Sequence, residues 1–168
     1  MEKLEYRFKK FISKKSNSKD YYIEDGLVCC KSYVEITDVD IVNGHLPFKF
    51  GKVDGSFYFY NCDSLTSIKG SPKEVGRNFY CNNCSSLTSL EGSPEKVGGS
   101  FICSKCTSLT SLEGATQKVG GSFSCHECPS LTSLEGCPEK VGGMFYFHNC
   151  DSLNYLVSCP KKVIVDFD

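Results

Sequence analysis

From Val53 onward the apolar residues fall into columns that recur every 22 positions. Phenylalanine stands at Phe57, Phe79, Phe101, Phe123, Phe145 and Phe167, and cysteine at Cys62, Cys84, Cys106, Cys128 and Cys150. Leucine follows at Leu65, Leu87, Leu109, Leu131 and Leu153, then Ile68, Leu90, Leu112, Leu134 and Leu156. Valine holds Val53, Val75, Val97, Val119, Val141 and Val163. No insertion or deletion breaks the period. Such a repeat predicts a solenoid whose coils stack on one continuous core.

Within a coil, Phe101-Ile102-Cys103-Ser104 alternates apolar and variable residues, the pattern of a strand with Phe and Cys turned inward. Cys106, Leu109 and Leu112 then recur at every third position, which suits a chain bending around a coil. Pro72, Pro94, Pro138 and Pro160 and the Gly-Gly pairs after valine argue against a helix on the return side. The expected fold is a slim repeat solenoid, mainly β, of 22-residue coils, with an N-terminal helix and hairpin as its cap.

Three segments make up one structural domain: residues 1–20, 21–52 and the array 53–168. In the first, Leu4, Phe8, Phe11 and Ile12 have helical spacing, and a polar linker from Ser13 to Asp20 follows. Asp25-Gly26 between apolar residues predicts a hairpin. Val34, Ile36, Val39 and Val42 then read as a degenerate first coil. Terminal units of a solenoid depart from the repeat because they cover its open core.

The segments Phe79-x-Cys81-x-x-Cys84, Phe101-x-Cys103-x-x-Cys106 and Phe123-x-Cys125-x-x-Cys128 resemble the core of the leucine-rich repeat. More closely, Ser-Leu-Thr-Ser-Leu-Glu-Gly-x-Pro-x-x-Val-Gly-Gly-x-Phe is similar to short repeats encoded by bacteriophages, large DNA viruses and some bacteria. The lead-in Leu46-Pro47-Phe48-Lys49-Phe50-Gly51-Lys52-Val53 resembles the start of such phage arrays. The resemblance covers residues 34–168 and implies a leucine-rich-repeat-like coil, a binding surface and no enzymatic activity. Inhibition of a host defence protein is one form that binding would take.

The Cys-x-x-Cys pairs have zinc-like spacing, but Phe59 and Phe147 occupy the column of Cys81, and phenylalanine cannot ligate a metal. The column is therefore read as core, with free thiols serving as small hydrophobes. No cofactor and no metal are expected. Cys29 and Cys30 are adjacent, so one is expected in the core and one exposed; Cys137 and Cys159 fall in a small-residue column.

The outward strand positions are the candidate partner-binding residues. One column runs Tyr58, Tyr80, Ile102, Ser124 and Tyr146; the other runs Tyr60, Asn82, Ser104, His126 and His148. These positions vary while the core columns hold constant, as a scaffold presenting a chosen surface should show. Tyrosine is favoured at interfaces, although aromatic residues also suit exposed strands. His126 and His148 should lie on neighbouring coils about 5 Å apart. No carboxylate column accompanies them, so a surface role is preferred to a catalytic pair.

Charge narrows the partner. The chain has net charge −1, with +4 over residues 1–20 and −5 over the remainder. The basic helix is read as the solvated side of a cap, not as a nucleic-acid or membrane contact. MEKLEYRFKKFISKK contains no apolar leader, so a reducing cytoplasm is expected, that of the host cell if the protein is viral. Together these features predict a non-enzymatic module engaging a protein partner, with a self-associating structural protein as the alternative. Finally, Val163 to Asp168 reads as a sixth strand in register, Val163 and Phe167 on their columns. Asp166 and Asp168 beside Phe167 should repel a second copy, which predicts a monomer or weak dimer.

Overall fold

A computed structural model describes residues 2–15, 18–153 and 164–166, the last three by backbone alone. Helix α1 (Glu2–Ile12) lays Phe8 and Phe11 onto the first coils, where both are buried. Strands β1 (Tyr21–Glu24) and β2 (Leu27–Cys30) form the expected hairpin, with Asp25 and Gly26 at φ 50° and 72°. Both φ values are positive, the requirement of a tight two-residue turn that Asp-Gly satisfies. β3 (Val34–Thr37) and β4 (Phe50–Val53) then open the array.

Each coil contributes two short strands. β5 (Phe57–Tyr60), β7 (Phe79–Tyr80), β9 (Phe101–Ile102), β11 (Phe123–Ser124) and β13 (Met144–Tyr146) carry the phenylalanine column. β6 (Glu74–Val75), β8 (Lys96–Val97), β10 (Lys118–Val119) and β12 (Lys140–Val141) carry the valine column, and β14 (Ile164–Asp166) follows. One sheet runs β1-β2-β4-β6-β8-β10-β12 and the other β14-β13-β11-β9-β7-β5-β3. Apart from the hairpin, all neighbours pair in parallel. The protein is thus a mainly β stacked-coil solenoid of about five turns with 22-residue periodicity and one short N-terminal helix. The valine-bearing sheet goes beyond the sequence reading, which had assigned one strand to each coil.

The inward columns fill the space between the sheets. Every phenylalanine from Phe57 to Phe145 is fully buried, as are Cys81, Cys103, Cys125 and the Leu65 and Ile68 columns through Leu134. The rings of Phe79, Phe101 and Phe123 stack at 4.9 and 5.2 Å. At Phe145 the ring turns edge-on to Phe123, at 75°, and Phe147, which replaces a cysteine, packs against it at 5.4 Å. The residue before each core cysteine (Asn61, Asn83, Lys105, Glu127, Asn149) has φ between 47° and 61°. This left-handed residue redirects the chain out of the strand.

Several expectations change. Val39 and Val42 are not core; Val39 is 85 % exposed. A single 3-10 turn, Asp38–Asp40, holds Val39 at its tip, and Asp40 pins that turn by accepting from the Thr37 N–H and hydroxyl, both at 3.0 Å. Cys29 is buried together with Cys30, since Gly51 leaves room over it and the Lys52 N–H donates to its Sγ at 3.4 Å. The last strand sets Val165 opposite Phe145. The expectations for Leu156, Cys159, Pro160, Val163, Phe167 and Asp168 lie outside the described residues.

Candidate functional site

The candidate face is the outer side of the phenylalanine-bearing sheet. Parallel pairing brings residues of one column side by side: Tyr58 opposite Tyr80, Tyr80 opposite Ile102, Ile102 opposite Ser124 and Ser124 opposite Tyr146. Tyr58 and Tyr80 stack at 4.8 Å with their planes within 4°. Tyr33, ahead of the first coil, meets Tyr58 edge-on at 6.3 Å. Sequence reasoning missed Tyr33 because it lies outside the periodic columns. Tyr60 is 62 % exposed, and Tyr80 is anchored by a hydrogen bond from Asn78 Nδ2 to its hydroxyl at 3.0 Å.

Not every predicted residue reaches solvent. Ser104 and Ser124 are 3 % and 5 % exposed, which removes them from a directly contacting surface. They are small side chains beneath a larger one. His126 Nδ1 lies 2.9 Å from Ser104 Oγ and 2.7 Å from Ser124 Oγ, and the two hydroxyls are 2.9 Å apart. A serine donating to Nδ1 leaves the ring N–H on Nε2, facing Glu127 Oε1 at 3.5 Å. His148 stacks on His126 at 4.9 Å, near the spacing expected for neighbouring coils. Burial, followed by the facing His148, holds the His126 pKa below the ordinary histidine value, with Glu127 opposing.

Ser124, His126 and Glu127 stand in the order of nucleophile, base and orienting acid. The adjacent backbone donors are already spent, however: Cys125 N–H donates to the Tyr146 carbonyl at 2.8 Å and Glu127 N–H to the His148 carbonyl at 3.0 Å. An acyl-transfer site needs such donors free to receive an oxyanion. What the cluster does is fix the imidazole at the wall of an apolar depression of about 320 Å³ lined by Ile102, Tyr146 and His148 among others.

A second polar column, also missed from sequence, supports the face. Ser56 Oγ accepts from the Asn78 N–H, Asn78 Oδ1 from the Ser100 N–H, Ser100 Oγ from the Ser122 N–H and Ser122 Oγ from the Met144 N–H, at 2.8–3.2 Å. This ladder satisfies the backbone where each coil turns into its strand. Its sequence trace is the recurrence of Ser or Asn just before phenylalanine.

Burial makes several core thiols unreactive, while a hydrogen bond from Cys62 lowers the pKa of Cys84. Burial raises the pKa of Cys81, Cys103 and Cys125 well above the ordinary thiol value and pushes Cys30 and Cys128 up to about 11. A neutral thiol is neither a nucleophile nor a metal ligand. Among the described residues, no group of three or more His, Cys, Asp or Glu side chains could hold a metal ion, and no helix is long and apolar enough to cross a membrane.

Compared with protein-family models, with curated proteins and with solved structures, the chain matches none.

Proposed function

We propose that this protein is a non-enzymatic binding module that engages one protein partner through the outer face of its phenylalanine-bearing sheet. The observation that carries this reading is the aromatic row Tyr33–Tyr58–Tyr80, edge-on then stacked and partly exposed on a close-packed two-sheet scaffold, with Tyr60 beside it. Large, rigid, amphipathic rings lose little entropy on binding, and an ordered row of them presents a preformed surface. The spent backbone donors beside Ser124 support a role without catalysis. The repeat phrase supports kinship with the short leucine-rich-repeat-like arrays of phages, large viruses and bacteria, and with it a host cytoplasm and a host or viral target. Blocking a host defence protein is the form of this function that the resemblance favours. We further propose that it acts as a monomer or weak dimer.

The test is capture from host lysate with the intact protein and with Tyr58→Ala/Tyr60→Ala, both followed by mass spectrometry. A partner retained by the first and lost by the second supports the reading. A partner retained equally by both places the interface elsewhere.

A further inference from the structure

A cleft at the start of the array specifies the chemistry of that partner, and this inference rests on the binding role proposed above. It has a volume of about 510 Å³, and its lining includes Lys31, Tyr33, Asp54, Gly55, Tyr58 and Arg77. Arg77 breaks a glycine column: the equivalent positions of the other coils are Gly55, Gly99, Gly121 and Gly143. That column excludes side chains for a steric reason. A Cβ on Gly99 would meet Asn78 Oδ1 at 2.2 Å, and one on Gly121 would meet Ser100 Oγ at 2.7 Å. At position 77 the corresponding neighbour is Ser56, and the arginine shares the cleft lining with it.

The cleft carries two cations against one carboxylate. Among the described residues, neither Lys31 nor Arg77 pairs with a carboxylate, and the carboxylate of Asp54 is taken by Lys52 at 2.9 Å. Both cations are exposed and can turn toward a ligand. Tyr33 and Tyr58 form the aromatic side of the cleft, and Tyr58 leads directly into the stack with Tyr80. A point anion with apolar neighbours fits this arrangement. A nucleic acid fits it poorly, since its phosphates need a longer run of cations. Here the exposed Glu35 sits beside Tyr58 in the strand register.

We propose that this cleft receives an acidic side chain of the protein partner, between Lys31 and Arg77, while the flanking residues of the partner lie over Tyr58 and Tyr80. The two cations supply orientation and discrimination, and the rings supply contact area.

Fluorescence anisotropy with labelled peptides tests this on the full-length protein. The probes are an alternating Glu-Tyr peptide, the same peptide with Gln for Glu, and an oligothymidylate. The Glu-Tyr peptide should bind in a salt-sensitive manner, about tenfold more tightly than the Gln-Tyr peptide. That preference should vanish in Lys31→Gln/Arg77→Gln and persist in Arg77→Lys, with thermal midpoints of all variants close to the parent. Equal binding of both peptides, or an unchanged preference in the double variant, overturns the cleft assignment and leaves the tyrosine face standing. Tighter binding of the oligothymidylate overturns it in favour of a nucleic acid. If no peptide binds while the tyrosine variants still lose a captured partner, the acidic-partner inference alone is overturned.

Discussion

Lys15, just beyond the N-terminal helix, donates to Asp40 Oδ2 at 2.7 Å and to the Glu35 carbonyl at the same distance, with both charged side chains almost out of solvent. The ion pair joins the cap to the first coil, since the same carboxylate also pins the 3-10 turn through Thr37. Breaking a buried pair from one side strands a charge. Asp40→Asn should therefore destabilise the protein by about 3 kcal/mol, the low end for a buried pair, because Lys15 keeps the Glu35 carbonyl. Chemical denaturation measures this; an unchanged midpoint would show the pair to be incidental.

The same pair sets an acid limit. Burial pushes the Asp40 pKa upward, but the hydrogen bonds from Lys15 and Thr37 outweigh it and hold the group below the ordinary value. A carboxylate with a lowered folded-state pKa contributes its full stability above the unfolded value, about 3.9, and loses it as pH falls through the folded one. Protection factors of the helix amides, with the intrinsic pH dependence of exchange divided out, should thus fall below about pH 4, and less so in the Asp40→Asn protein.

His126 reports a separate window. Its folded-state pKa is lowered, so its contribution is complete above the ordinary histidine value, about 6.5, and declines as pH falls. Melting temperatures between pH 8 and pH 5 should fall more for the parent than for His126→Asn, about neutral pH being the onset. Asparagine already occupies that column at Asn82. Identical slopes for the two proteins would remove His126 as the cause.

The left-handed column offers a stabilising change. Lys105 and Glu127 adopt φ of 61° and 54° where three other coils use asparagine, the side chain that tolerates this conformation best. Their mutual ion pair is exposed and spans 3.6 Å, so it contributes little. Lys105→Asn should raise stability by about 0.5 kcal/mol. A loss of stability would mean the pair matters more than the backbone.

The polar ladder makes the opposite prediction. Asn78→Ala removes the acceptor of the Ser100 N–H and should cost about 1–3 kcal/mol, whereas Asn78→Ser, which reproduces Ser56 and Ser100, should recover most of it. For comparison, Phe101→Ala should cost about 3–5 kcal/mol and Tyr60→Ala less than about 1 kcal/mol. Equal losses for Phe101 and Tyr60 would contradict the observed division between core and face.

The architecture was legible because a solenoid repeats one environment. Phe79, Phe101 and Phe123 meet identical surroundings in successive coils, so a shared core writes itself into the chain as a period, and Asp25-Gly26 encodes its turn locally. Column position also divided inward Cys103 from outward Ile102, because strand parity is a local property. Parity alone could not show that Ser104 and Ser124 vanish beneath His126, since burial there depends on the size of the side chain two residues on and in the next coil. The setting of Val165 opposite Phe145 and the placing of Lys31 and Arg77 on one cleft were decided in the same way. Each depends on contacts between residues distant in sequence, where the period is broken and only the packed structure sets the outcome.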